Sequence, residues 1–292
     1  MAAQSLGLEA VISLFPDTLH SNLIAKVNFR TTDQKSDLLY ILSKRCTNRK
    51  PYKQIPLNSE HEKQLLALPL EKNVTKVSWL NDKEAILSLA NTINYNEIIF
   101  LENYEVHKGL FAFIRWNKAA EESFGSGLYI KTLELSPPQE FFMKLFRSWP
   151  IMNFFNKFNF SALVARDTAK LYSTSSAFGI IVAKDKTAES FIATGRMLQR
   201  IWLKAAELEV SLQPTAALLY LYQRIEEEGN RIFSSEQEEG IKSKQTKIKQ
   251  LFNLSETEIP TMLFRIGYAD APSARSYKHP VTMKDTTKLY EQ

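Results

Sequence analysis

FIATGRMLQRIWLKAAELEVSLQP, residues Phe191–Pro214, is the stretch whose reading decides the fold. Phe191, Gly195, Leu198, Trp202 and Ala205 recur in it at i, i+4, i+7, i+11 and i+14, the spacing of one apolar face on a long buried helix. Gly195 on that face predicts close packing against a neighbour. Upstream, AFGIIVA (Ala177–Ala183) is an unbroken apolar run of strand length, and downstream MLFRIGY (Met262–Tyr268) is another. Buried strands on either side of a buried helix predict an α+β chain, helix-rich, with one central sheet.

The rest of the chain fits that class. Its 292 residues are 44% hydrophobic and 24% charged, an ordinary globular balance that excludes wholesale disorder. Nine glycines are about 3% of the chain against a usual ~7%, which argues against turn-dense β architectures and glycine-rich phosphate loops. The net charge of +5 is mild and interspersed. One cysteine, Cys46, leaves no internal disulfide, and four scattered histidines give no metal-ligand spacing. The N-terminal apolar stretch is broken by Glu9 and stopped at Pro16, and no segment reaches the ~18 apolar residues of a membrane span, so a cytoplasmic protein is expected.

Along the chain, Ser36 or Asp37 is a candidate cap for a short helix ending at Lys44-Arg45. Residues 58–69 and 82–93 read as helices, Thr75–Trp79 as a strand, Glu97–Arg115 as mixed but helical, and 117–138 as irregular, closed by Pro137-Pro138. Phe141–Phe160 holds seven of the eighteen phenylalanines; Phe142, Phe146 and Trp149 are helically spaced until Pro150 breaks the pattern. Glu226–Gln250 reads as a charged helix–loop–helix. The start is unusual. Ala2–Val11 reads as a helix end followed by a strand over Leu23–Phe29, and Leu6, Leu8, Lys26, Val27 and Phe29 match Leu208, Val210, Arg265, Ile266 and Tyr268 in order. Either an internal repeat or a chance likeness accounts for this.

Candidate chemistry centres on Arg45-Cys46-Thr47-Asn48-Arg49. If extended, this segment puts Arg45, Thr47 and Arg49 on one face, where two guanidinium forks and a hydroxyl suit a phosphate dianion. The alternative is a helix C-terminus whose basic residues complement the helix dipole. A second basic group, Arg275-Ser276-Tyr277-Lys278-His279, is either a solvated arm or the other half of a phosphate pocket. No GxGxxG, Walker or GxSxG motif occurs, and no catalytic side chain or metal ligand is singled out.

RCTNRKPY (Arg45–Tyr52), GRMLQRIWLKAAELEVSLQP (Gly195–Pro214) and FRIGYADAPSARSYKHPV (Phe264–Val281), in that order, resemble the signature segments of nitroreductase-fold flavoproteins. Ile114-Arg115-Trp116, Ser148-Trp149-Pro150 and Pro272–Ser276 are similar to the Acg-like, ThiF-associated subgroup, whose chains resemble two such halves in tandem. The resemblance implies a nitroreductase-like fold with a mostly antiparallel sheet. Residues 1–35 would be the remnant of an N-terminally truncated first half, and 36–292 an FMN-binding domain with a charged helical insertion near 224–250. It further implies non-covalent FMN held by Arg45, Thr47, Arg49, Gln213, Pro214, Thr215, Arg275, Ser276 and Lys278. The implied activity is FMN-dependent electron transfer from NAD(P)H to a nitro, quinone or similar acceptor; the alternative is a non-catalytic flavin-storage protein with a lidded site. A homodimer, or pairing with a missing N-terminal half, is implied as well.

Two departures bear on this. The pattern's glycine within AAELEVSL is Glu209, and no equivalent of the flavin-ring asparagine is evident. The aromatic block 141–160 reads either as a lid over the flavin or as core packing. Nucleic-acid and membrane partners are not expected, because only Lys144, Arg147 and Lys157 accompany its apolar face.

Overall fold

The computed structural model describes residues 2–16, 23–34, 39–229 and 231–277. Its centre is a four-stranded antiparallel sheet: β3 (Val74–Leu80), β6 (Ala177–Ala183), β8 (Ile259–Gly267) and β7 (Ser211–Pro214), adjacent in that order. β6 is the hub, and every residue in it is buried. Its period of two divides the interior. Phe178, Ile180 and Val182 join Leu263 in one core; Ala177 and Ile181 join Phe264 and Ile266 in the other.

The first core is covered by α3 (Lys83–Ile93), α4 (Tyr95–Glu102), α11 (Ala217–Glu228) and α12 (Ser235–Leu251), which contribute Leu89, Ile93, Ile99, Leu218, Ile241 and Ile248. The charged helix–loop–helix is thus real, and α12 is a core helix: Ile241 and Ile248 are fully buried under its polar face. The second core lies beneath α10 (Ala188–Glu207), with Met197, Ile201 and Ala205 turned to the sheet, and is closed by α2 (Ser59–Leu66) through Leu65. Gly179 makes close strand packing possible. It sits between Trp79 and Phe264 in register, the Phe264 ring occupies the space its Cβ would fill, and Trp79 meets that ring edge-on at 5.4 Å.

A satellite core joins α5 (Tyr104–Phe113), α7 (Pro137–Leu145), α8 (Trp149–Asn156) and α9 (Phe160–Tyr172) through Phe111, Phe146, Met152 and Phe160. Buried His107 spans it, with its Nε2 2.8 Å from the Phe146 carbonyl; burial pushes its pKa down.

Several expectations are corrected. Gly195 faces open space, with nothing within 4 Å of a built Cβ, so it does not mediate close packing; Met197 and Ile201 define the buried face instead. Glu97–Arg115 breaks at Asn103, whose side chain caps α5, and ends as the short strand β4 (Ile114–Arg115). Residues 117–138 are largely regular: α6 (Lys118–Phe124) and β5 (Leu128–Tyr129) precede a 3₁₀ turn, and β5 pairs parallel to β4. Pro137-Pro138 opens α7 and Pro150 opens α8, because proline is tolerated in a first helical turn where the amide has no partner. The candidate caps Ser36 and Asp37 lie outside the described residues; α1 runs Leu39–Lys44.

Ala2–Val11 is not a helix end. A 3₁₀ turn closes at Gly7 (φ 69°), and β1 (Leu8–Leu14) pairs antiparallel with β2 (Ala25–Thr31). Leu8, Ala10, Ile12 and Leu14 stand opposite Thr31, Phe29, Val27 and Ala25, an apolar face whose period of two outweighs any helical pattern. The matched segments therefore share an antiparallel pairing but not a register. Leu212 pairs with Ile266, whereas the matching Ala10 pairs with Phe29 rather than Val27.

Candidate anion site at the sheet edge

After α1 the chain runs extended along the free edge of β7. Thr47 bridges Leu212 in parallel, and the Asn48 amide donates to the Leu212 carbonyl at 3.1 Å. Both readings are met in part: the Arg45 amide still closes α1 on the Ile41 carbonyl at 3.0 Å, and the chain then runs along β7 at Thr47 and Asn48. Asn48 is buried and acts as a pin: its Nδ2 donates to Ser211 Oγ (3.0 Å) and to the Asp270 carbonyl (2.8 Å), and its Oδ1 accepts from the Lys50 amide. Sequence reading passed over Asn48, since one asparagine between two arginines carries no periodic signal.

The arginines rest on neutral partners. The Arg45 guanidinium lies 4.3 Å from the centroid of Trp202, whose Nε1 donates to the Cys46 carbonyl. Arg49 donates to the Thr132 carbonyl at 3.1 Å. Burial lowers the pKa of both, and both stay charged. The tail that follows β8 crosses beside them. Arg275 donates to the Ser43 carbonyl at 2.9 Å, the Ser273 amide donates to Glu134, the Tyr277 amide donates to buried Glu121, and Lys53 pairs with Asp270 at 3.4 Å. The two basic groups are thus brought together. Among the described residues, none of Arg45, Arg49 and Arg275 forms an ion pair. Ser276 is exposed, and Lys278 lies outside the described residues.

Gln213, Pro214 and Thr215 are built differently. Gln213 is buried and its Oε1 accepts from Arg265 Nε at 2.7 Å, so its side chain is committed inward. Pro214 is paired with Phe264 in the sheet. The Thr215 amide donates to the Leu263 carbonyl, while its buried hydroxyl has no partner among the described residues.

Behind this edge lies Arg265, fully buried in β8. Its other donors reach the Leu171 carbonyl (3.2 Å) and the Lys50 carbonyl (2.9 Å), and its plane lies 4.0 Å from the Tyr52 ring centroid and 5.4 Å from that of Tyr172. Burial pushes the Tyr52 phenol up to about 12 and raises that of Tyr172 further, so both stay neutral. The signal for Arg265 was in the sequence: one arginine inside the apolar run MLFRIGY must be satisfied internally.

Residues that could hold a phosphate are therefore Arg45, Thr47, Arg49 and Arg275. Guanidinium groups without an ion pair among the described residues suit a phosphate, while the Thr215 hydroxyl is buried and unpartnered.

No family model matches the chain, and no curated relative matches it. Among solved structures it is similar to an FMN-bound nitroreductase from Bacteroides fragilis, at 12% identity and TM-score 0.41, covering 87% of this chain and 97% of that one. It is also similar to NfrA2 of B. megaterium (11%, TM-score 0.43, 87% and 78%). A third is the FMN and NADPH-dependent nitroreductase NfnB from a Sphingopyxis strain (10%, TM-score 0.44, 88% and 99%). At these identities and scores the functional reading rests on the residues themselves.

Proposed function

We propose that this chain binds FMN non-covalently and acts as an FMN-dependent oxidoreductase of the nitroreductase type, passing electrons from NAD(P)H to a nitro, quinone or similar acceptor. The observation that supports the reading is the approach of the basic tail to RCTNR: Arg275 donates to the Ser43 carbonyl, two residues before Arg45, and none of Arg45, Arg49 and Arg275 forms an ion pair among the described residues. On this reading the phosphate is taken by those guanidinium groups and the Thr47 hydroxyl. Ser276 and Lys278 extend the basic arm, and the Gln213–Thr215 backbone supports the ring end. FMN would supply the hydride and electron chemistry. The protein's share is position and electrostatics: Arg265 fixes Gln213 and the Lys50 carbonyl, and thereby the segment that presents Arg49. The homodimer, or pairing with another chain that covers the ring, belongs to the same proposal.

Flavin storage under an aromatic lid has less support. The inner rings of the 141–160 block, Phe146, Phe155 and Phe160, pack with Phe111 and Met152 into a core of their own.

The test is direct. Purified protein mixed with FMN should retain it, and NADPH should bleach the flavin's visible band. Arg45→Ala with Arg49→Ala removes two charge-assisted contacts and should weaken FMN binding about a hundredfold while leaving the circular dichroism unchanged. Wild-type protein that takes up no FMN, or a double variant that holds it undiminished, rejects the assignment.

A further inference from the structure

A cleft of about 240 Å³ opens at the Ile259 end of β8, between α11, α12 and the Glu256–Glu258 loop. None of its lining residues belongs to the candidate anion site. Thr261 lines it, and Arg265, behind that site, stands about 13 Å further along the strand at ~3.3 Å per residue. The volume is below the ~300 Å³ at which clefts begin to take drug-sized molecules, so the cleft suits a small ligand.

Two polar side chains one turn apart on α12, Gln245 and Lys249, line its inner wall. Ile241, Gln245 and Ile248 follow one helical face, and both isoleucines are fully buried, so Gln245 is carried into the interior with them. It is 4% exposed, and its Oε1 is buried with no hydrogen-bond partner among the described residues. A buried acceptor without a donor costs stability unless a group in the cleft supplies one. The terminal amide torsion is soft, so a small rotation turns that oxygen to the cleft. Lys249 is 7% exposed. Its ammonium places one donor on the Glu256 carbonyl at 2.5 Å, and the Glu256 carboxylate stands 3.9 Å off in solvent. Of its three donors, two are left for a ligand.

Charge sets the ligand class. Glu226 pairs with Lys186 at 2.9 Å and Glu258 with Lys76 at 2.7 Å, which leaves Glu256 against Lys249. The carboxylates and ammonium groups around the cleft therefore balance. An anion would face three carboxylates and a cation the buried ammonium, so neither recovers its cost of leaving water. A neutral group with an N–H beside a carbonyl answers both open positions. Phe191, Leu219 and Pro260 supply apolar sides for its body.

We propose that this cleft binds a small neutral amide, a carboxamide or lactam, whose N–H donates to Gln245 Oε1 and whose carbonyl accepts from Lys249. The site is independent of flavin binding.

The experiment is a ligand-observed NMR titration of the full chain with benzamide, benzoate and benzylamine, which share a ring and differ in charge. Benzamide should bind at least about tenfold more tightly than either ion. Gln245→Leu removes the acceptor and should weaken benzamide about tenfold, as should Lys249→Met. Because Gln245→Leu also removes an unpaired buried amide, it should melt above wild type. Arg45→Ala with Arg49→Ala should leave benzamide binding unchanged, which separates this cleft from the flavin reading. The proposal is overturned if wild type binds no benzamide, if benzoate or benzylamine binds as well, or if either cleft variant binds it undiminished. It is equally overturned by a Gln245→Leu chain that melts below wild type, or by loss of benzamide binding in the double arginine variant.

Discussion

Replacing Arg265 by methionine tests whether the buried cation clamps the candidate site. Methionine fills most of the volume but donates nothing. Two acceptors then lose their donor, Gln213 Oε1 and the Lys50 carbonyl, while the Leu171 carbonyl keeps the Thr174 hydroxyl at 2.7 Å. At about 1.5 kcal/mol for each orphaned acceptor and about 1 kcal/mol for each tyrosine ring, the losses reach about 5 kcal/mol. Removing a fully buried charge with no carboxylate partner returns about 3 kcal/mol, leaving a net destabilisation of about 2 kcal/mol. For a chain of this size that is a fall of roughly 6 °C in melting temperature. Arg265→Lys keeps the charge, but its single ammonium cannot serve three divergent acceptors and should recover less than half of the loss. Thermal unfolding followed by circular dichroism reads both variants. A methionine variant melting within about 2 °C of wild type, or a lysine variant indistinguishable from wild type, would refute the reasoning.

Glu97 should make stability depend on pH: burial pushes its carboxyl up to about 7 from 4.5, opposed only by a hydrogen bond from Asn96. The native state holds the proton between those values, so stability falls as pH rises through the window; Glu97→Gln should abolish the fall and gain on the order of 1–2 kcal/mol above it, the full shift being discounted for residual exposure, and a wild-type-to-variant difference that is flat with pH in urea unfolding sinks the argument. Two glycines should respond in opposite directions. Gly195→Ala, with open space around the new methyl, should stabilise by about 0.5–1 kcal/mol, whereas Gly179→Ala drives a Cβ into the Phe264 ring and should cost about 1–3 kcal/mol; urea midpoints of the same sign for both would contradict the packing described.

What could be read in the sequence was what repeats locally. β6, α10 and β8 carry their burial pattern in consecutive residues, and α3 and α12 fall within the helical stretches read at 82–93 and 226–250, so these elements were legible. β1 was misread because AAQSLGLEAV supports a helix as long as Gly7 is ignored; only the partner strand reveals the alternation of Leu8, Ala10, Ile12 and Leu14. Pro150 and Pro137 were taken as stops, since a proline at a helix start and one after a helix end look alike until the chain direction is fixed in space. In the candidate site the cations were visible and their holders were not. Asn48 reaches Asp270 across 222 positions and Arg265 reaches Lys50 across 215, and a single sequence carries no trace of such pairings.

The way those cations are held bears on why the edge can attract an anion. Some arginines elsewhere are neutralised, Arg196 and Arg200 by Glu71 and Arg224 by Glu228, while Arg115 is held by two carbonyls and the Phe124 ring. At the sheet edge Arg49 and Arg275 donate to carbonyls and Arg45 lies on an indole, while behind them Arg265 takes two carbonyls and an amide. A carbonyl or a ring fixes a guanidinium in place without cancelling its charge. The two acids in reach are engaged by the tail, Glu134 by the Ser273 amide and Glu121 by the Tyr277 amide, so they serve to hold the second basic group against the first. An amide donor does not cancel a carboxylate's charge, and Glu134 lies close enough to act on Arg49. The edge therefore carries a net positive field that Glu134 partly offsets, at a partly dry site where the effective dielectric is low and an anion gains more than in water.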